Sequence, residues 1–214
     1  PLEENEIAGG GVFVTYPEVS REKAKIHIKT HVRNRNNISR KGYLLTRLID
    51  SDNKEIVCQR RPFSLKAGAS IHLEQDLSVD NPSLWYPYRP CLYELRTEVV
   101  VDDKTVDKVT RQIGIRSIQY TTEDGFLING EKLYMRGANR HQAYPYVGDA
   151  ASNSMQEREV INMKQGGYNA VRAAHYPQDP AFLDACDKYG LLVVECIPGW
   201  QYFNNDTTFI NRVY

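Results

Sequence analysis

No stretch of this chain approaches the roughly 20 consecutive apolar residues that a membrane-spanning helix needs, so no spanning helix is expected. Neither sign of charge is in excess. The 27 Lys and Arg residues are matched by 27 Asp and Glu, which removes the electrostatic footprint expected of a nucleic-acid binder. Cysteines are few: Cys58, Cys91, Cys186 and Cys196. They form no C-x-x-C pair and have no His at zinc-ligand spacing, so no zinc site is expected. Buried free thiols are the expectation, with pairing left open. There is no G-x-G-x-x-G, no P-loop and no G-x-S-x-G. Gly9-Gly10-Gly11 precedes a strand pattern rather than a helix, so it is no phosphate cradle. The opening Pro1-Leu2-Glu3-Glu4-Asn5-Glu6 is acidic, lacks the apolar core of a signal peptide and does not begin with Met. A fragment or processed chain is expected, and periplasmic, secreted and cytoplasmic locations all stay open.

What is present first is strand periodicity. Ala24, Ile26, Ile28, Thr30 and Val32 alternate with Lys25, His27, Lys29, His31 and Arg33, the mark of a half-buried strand. Further strands are expected over Val12–Tyr16, Tyr43–Ile49, Glu55–Arg60, Phe63–Leu65, Ser70–Leu77, Leu92–Val101 and Thr105–Ile118, with polar turns between them. Short strands at such regular spacing predict a β-sandwich of immunoglobulin type. Its exposed Lys, His and Arg face carries no aromatic residue to stack on sugar.

The pattern then changes. Asn129-Gly130 suits a type I′ turn, pairing Phe126–Ile128 with the run from Glu131 to Arg136. At Gly137 the apolar strand gives way to Gly137-Ala138-Asn139-Arg140-His141. Ser154 and Glu157 fit a capping box for a helix that Gly166-Gly167 ends. A strand over Asn169–Ala174 follows. Asp179-Pro180 then opens a second helix ending at Gly190, and Leu191–Val194 reads as a buried strand. Strand, helix, strand, helix, strand predicts three parallel strands. Three such strands bury little core, so residues from 119 onward are expected to be the first part of a larger α/β domain.

In parallel α/β folds the working face lies at the carboxyl ends of the strands. That brings Asn139, Arg140, His141, Arg172, His175, Glu195 and Trp200 to one rim. Imidazoles and guanidiniums can bond sugar hydroxyls, and an indole can pack on the apolar face of a pyranose. Each residue singly also has a structural reading; their convergence is what favours a site.

Four segments carry a family resemblance: Asn81-Pro82-Ser83-Leu84-Trp85-Tyr86-Pro87, Gly125-Phe126-Leu127-Ile128-Asn129-Gly130, Arg136-Gly137-Ala138-Asn139-Arg140-His141, and Asn169-Ala170-Val171-Arg172-Ala173-Ala174-His175-Tyr176-Pro177. In this order and spacing the sequence resembles glycoside hydrolase family 2, and its β-galactosidases most closely. The resemblance implies a multidomain β plus α/β protein: a tail at residues 1–9 from a missing jelly-roll domain, an immunoglobulin-like sandwich at 10–118, and the start of a TIM barrel at 119–214. It implies a retaining hydrolase cleaving terminal β-glycosidic bonds in a carbohydrate substrate such as a β-galactoside, with oligomerisation left open. By resemblance His141 and His175 would hydrogen-bond the sugar and Arg172 would orient the nucleophile; Asn139 and Trp200 join them as substrate-binding candidates from their place on the rim. The family's acid/base and nucleophile Glu would both lie beyond Tyr214, so this chain alone is expected to be inactive. Some relatives hold magnesium through a Glu and a His after the third strand. Cys196-Ile197-Pro198-Gly199-Trp200-Gln201-Tyr202 has neither, so no metal or other cofactor is expected. Two alternatives remain at this point: a non-catalytic carbohydrate-binding or interaction module, and a different α/β enzyme using Glu195.

Overall fold

The computed structural model describes residues 5–196 and 204–213. By contact it divides into two compact units, one running to Trp85 and resuming over Cys91–Lys132, the other made of Tyr86–Pro90 and the chain from Leu133 on.

The first unit is built on seven long strands: β1 (Asn5–Val19), β2 (Lys23–Asn34), β3 (Arg40–Ile49), β4 (Glu55–Leu65), β5 (Ser70–Asp80), β6 (Tyr93–Val101) and β7 (Lys104–Ile113). They form two antiparallel sheets, ordered β1-β2-β5 and β4-β3-β6-β7. The alternation in β2 is realised along the strand: Ala24, Ile26, Ile28, Thr30 and Val32 are all fully buried, as are Leu44, Leu48 and Val99 of the facing sheet. Each of the Ile, Leu and Val side chains among them stabilises the fold by about 1.5–3 kcal/mol. One buried polar pair of the core is satisfied, since Thr46 donates to Gln75 Oε1 at 2.8 Å and Gln75 donates on to the Gln59 carbonyl at 3.2 Å. Asp102 and Asp103, both at positive φ, close the β6–β7 hairpin, as a two-residue turn requires.

Several sequence expectations are corrected here. Glu55–Arg60 and Phe63–Leu65 are one strand, β4, because it lies at a sheet edge where Pro62 forfeits no ladder bond. Residues 5–8, expected in a tail, are strand. Asn5, Glu6 and Ile7 pair with Asn34, Arg33 and Val32, Glu6 accepts from Arg35 at 2.6 Å, and Ile7 N donates to Asp107 at 2.6 Å. A register shift between Ile7 and Val12, with Gly10 at φ +68°, lets pairing resume beyond the glycines. The last long strand stops at Ile113 rather than Ile118, because Gly114 passes so close to the Trp85 ring that a Cβ would lie 2.7 Å from it.

A small antiparallel sheet follows: β8 (Ile118–Thr121), β9 (Gly125–Ile128) and β10 (Glu131–Lys132). Asn129 and Gly130 have φ +51° and +77°, so the turn forms as expected, but its second strand ends at Lys132 instead of Arg136. By contact, 119–132 cluster with the sandwich unit. Asn129 supplies the anchors, accepting from Ser117 N at 2.9 Å and donating to the Trp85 carbonyl at 3.0 Å.

The second unit alternates β11 (Gly137–Arg140), α1 (Asn153–Gln165), β12 (Ala170–Ala173), α2 (Pro180–Tyr189), β13 (Leu192–Val194) and α3 (Thr207–Val213). The strands form one sheet, β11-β12-β13, parallel throughout. Asp179 caps α2 by accepting from Ala181 N at 2.8 Å, and Gly190 ends it at φ +81°. The cap of α1 is Ser152, two residues before the expected Ser154. Glu157 is therefore not part of a capping box and instead accepts from Lys188 and the Tyr189 hydroxyl, both at 2.7 Å. Val160, Val171, Phe182, Ala185, Cys186 and Leu191 form the core between sheet and helices.

Candidate functional site

The register of β11 decides which side chains meet. Asn139 lies opposite Arg172 of β12, and Arg172 opposite Val194 of β13. These three share one face of the sheet, where Arg172 Nη1 donates to Asn139 Oδ1 at 3.3 Å. An open cavity of about 270 Å³ rests on this face, lined by Gly137, Asn139, Ala170, Arg172 and Val194 among others. Gly137 is required there, since a Cβ would stand 2.5 Å from the Ala170 carbonyl oxygen.

His141 leaves the end of β11 and His175 follows the end of β12. Their rings meet edge to face with centroids 5.4 Å apart, and the Tyr176 ring lies 6.2 Å from His141. The peptide between Ala174 and His175 is cis. Burial first, then the Arg172 guanidinium and His141, hold the His175 imidazolium below its ordinary pKa, so His175 is neutral near pH 7 and able both to donate and to accept. Glu195 follows β13, is exposed, and accepts from Cys196 N at 3.2 Å. Trp200 lies outside the described residues.

Thus Asn139 with Arg172, and His141 with His175, come together as expected. Arg140 does not. The expected strand ran from Glu131 to Arg136, which left residues 137–141 as a loop. The strand is in fact Gly137–Arg140, and alternation sends Arg140 to the face opposite Asn139. Its side chain is 3% exposed, with the guanidinium 3.9 Å over the Phe182 ring. It donates to Gln178, to Gln156 at 2.5 Å, to Glu159 at 2.9 Å and to Tyr144 at 3.2 Å. Burial alone would lower its pKa, but Glu159 and Tyr144 outweigh it and raise the value. Burial, with the Glu159 hydrogen bond behind it, raises the Tyr144 pKa.

Sequence reasoning missed the residues that brace this rim. The Tyr176 hydroxyl accepts from Gln142 N at 2.9 Å, and Gln142 Oε1 accepts from Asp179 N at 2.7 Å. Gln178 donates to the Tyr176 carbonyl at 2.9 Å. The available signal was the alternation of Gly137-Ala138-Asn139-Arg140, which read as a strand separates Asn139 from Arg140.

The arrangement is that of a β-sandwich followed by the opening strands of a (β/α) barrel, with polar side chains at the carboxyl ends of its strands. Residues 10–116 match the family model described as glycosyl hydrolases family 2, and residues 120–205 match that family's TIM barrel domain. The chain belongs to glycoside hydrolase family 2. It is 38% identical over 166 residues to a β-galactosidase of Thermoanaerobacter pseudethanolicus, covering 77% of this chain and 22% of that one. It is 32% identical to a β-glucuronidase of Bacteroides fragilis, covering 90% and 28%. Among solved structures, a glycosyl hydrolase family 2 member from Bacteroides cellulosilyticus superposes with TM-score 0.87 at 30% identity, covering 92% of this chain and 27% of the other. A Bacteroides uniformis β-glucuronidase gives 0.86 at 28% identity, covering 97% and 26%. The chain spans roughly a quarter of the length of these proteins.

Proposed function

We propose that this chain supplies the sandwich and the sugar-binding rim of a retaining β-glycosidase acting on terminal β-galactosides. The observation that carries the reading is the meeting of His141 with His175, and of Asn139 with Arg172, at the carboxyl ends of adjacent parallel strands in a member of this family. The imidazoles are assigned to sugar hydroxyls and Trp200 to the pyranose face. Arg172, steadied by Asn139, is assigned to orienting the nucleophilic carboxylate. Retaining hydrolysis uses two carboxyl groups about 5–5.5 Å apart, one as nucleophile and the other as acid and then base. Among the described residues of the three strand ends, Glu195 is the acidic one, and neighbouring strands do not set a second carboxylate across from it. The 214 residues taken alone are therefore proposed to bind sugar weakly and not to hydrolyse it. No magnesium ligand is assigned to 196–202.

Two assays test this. The complete gene product should turn over nitrophenyl β-galactoside faster than the β-glucuronide. The reverse preference would move the assignment to β-glucuronides, a reading favoured by the Bacteroides fragilis relative, whose match covers 90% of the chain. The purified 214-residue chain should show no turnover. Activity there that is lost in Glu195→Gln would overturn the assignment in favour of an enzyme built on Glu195.

A further inference from the structure

The buried guanidinium of Arg140 does not line the open cavity, yet two of the residue's bonds lead to the His175 loop. Its backbone carbonyl accepts from Ala174 N at 2.9 Å, the residue before His175. Its side chain bonds Gln178, whose amide holds the Tyr176 carbonyl at 2.9 Å, the residue after His175. The His175 loop is thus gripped on both sides of the imidazole by one residue of β11. A second strut runs through Gln142, whose N–H is fixed to the Tyr176 hydroxyl and whose side chain is fixed to Asp179 N. His141 sits between Arg140 and Gln142, so it too lies between two anchored neighbours. The opposite side of the guanidinium is tied to α1 through Gln156 and Glu159, and to α2 by the Phe182 ring.

From this geometry we infer that Arg140 is a positioning residue for the His141–His175 pair, fixing the rings across which the sugar is bound. The inference rests on the proposed function for its purpose, but the geometry it predicts exists without substrate. A lysine in its place keeps the charge but cannot reach Gln178, Gln156 and Glu159 together, because an ammonium lacks the planar fork. A hydrophobic anchor would fill the space and hold nothing on the far side of the sheet.

The test uses the 214-residue chain with its histidine rings observed by NMR. In Arg140→Lys and in Gln178→Ala, the nuclear Overhauser contact between His141 and His175 should fall at least threefold. The titration midpoint of His175 should rise toward the ordinary histidine value as burial and the neighbouring His141 are lost. Methyl signals of Val160 and Val171 should stay in place. Gln178→Ala removes only one of the guanidinium's partners, so it decides the matter if Arg140→Lys fails to fold. Unchanged ring contact and midpoint in Gln178→Ala, with the core signals retained, would overturn the assignment and leave Arg140 a purely structural residue. Glycosidase kinetics do not enter this readout. Loss of turnover in His175→Ala of the complete enzyme, alongside unchanged rings in Gln178→Ala, would sink the positioning role alone and leave the glycosidase reading standing.

Discussion

Phe182 lies fully buried in the α/β core, and its ring carries the Arg140 guanidinium 3.9 Å from the centroid. Replacing it with Leu keeps an apolar side chain in place but removes the π face. Two losses follow. Repacking a core position with a near-isosteric apolar group costs up to about 1.5 kcal/mol, and somewhat more here because Leu is smaller than Phe. A desolvated cation–π contact contributes about 2 kcal/mol. The sum is about 2–4 kcal/mol, which corresponds to a roughly 30- to 1,000-fold rise in the opening constant. A reporter already sits in the same cluster. Cys186 is 1% exposed, and burial raises its thiol pKa far above the ordinary value, so it reacts with a thiol reagent only when the unit opens. Cys58 is exposed and Cys91 and Cys196 are half-buried, giving internal controls in the same molecule. Mass-resolved labelling of the Phe182→Leu chain should show Cys186 modified within that range faster, with the Cys58 rate unchanged. A Cys186 rate within threefold of the parent would refute the claim that Arg140 and Phe182 hold the unit closed.

In the complete enzyme, His175→Ala should lower kcat/KM by about 10²–10³-fold, the scale for losing one transition-state hydrogen bond, while the urea midpoint barely moves; near-normal kcat/KM in a folded variant would make His175 structural. The pH dependence of stability has a definite sign. Burial first, then His72 and Arg33, lower the His31 pKa, and His175 is lowered as well. The unfolded chain therefore binds more protons below about pH 6.5. Stability from these groups is complete above that pH and is lost as pH falls toward the folded-state values. Urea midpoints between pH 5 and 8 should rise with pH, and His31→Gln should flatten the rise; an unchanged slope in that variant would contradict the assignment. Gly190→Ala should cost more than about 2 kcal/mol, because the residue is left-handed and a Cβ would lie 2.2 Å from the Pro87 carbonyl oxygen. A chevron or urea titration showing less than 1 kcal/mol, on the order of a typical surface change, would show that the backbone there yields.

The parts of this molecule that were legible in the sequence are those where one local signal acts alone. β2 was readable because one face is wholly buried while the other is exposed or half-exposed along its length, so its period of two is plain. The end of α1 at Gly166-Gly167, the whole of α2 and the Asn129-Gly130 turn were readable because caps and positive-φ residues act within a few positions. The failures lie where a partner distant in sequence decides. Residues 5–8 look like a polar tail until Arg35 and Asp107 bond them. Ser152 outcompetes Ser154 as a cap because Glu157 is drawn to Lys188 and Tyr189, more than 30 residues on. The first barrel strand is the instructive case. Leu133-Tyr134-Met135 is the more apolar run, yet Tyr134 and Met135 are exposed, and the strand forms over Gly137–Arg140. Parallel pairing with β12 chose it: Gly137 lets the backbones approach at Ala170, and Arg140 finds a neutralising Glu159 beneath the sheet. Hydropathy counts an arginine against burial and so moved the strand away from it. That displacement carried Arg140 onto the rim in the sequence reading, whereas Asn139 and His141 on either side meet Arg172 and His175. A strand that ends in a functional cluster is polar by necessity, so its last residues are the hardest to assign by pattern and the ones on which the site depends.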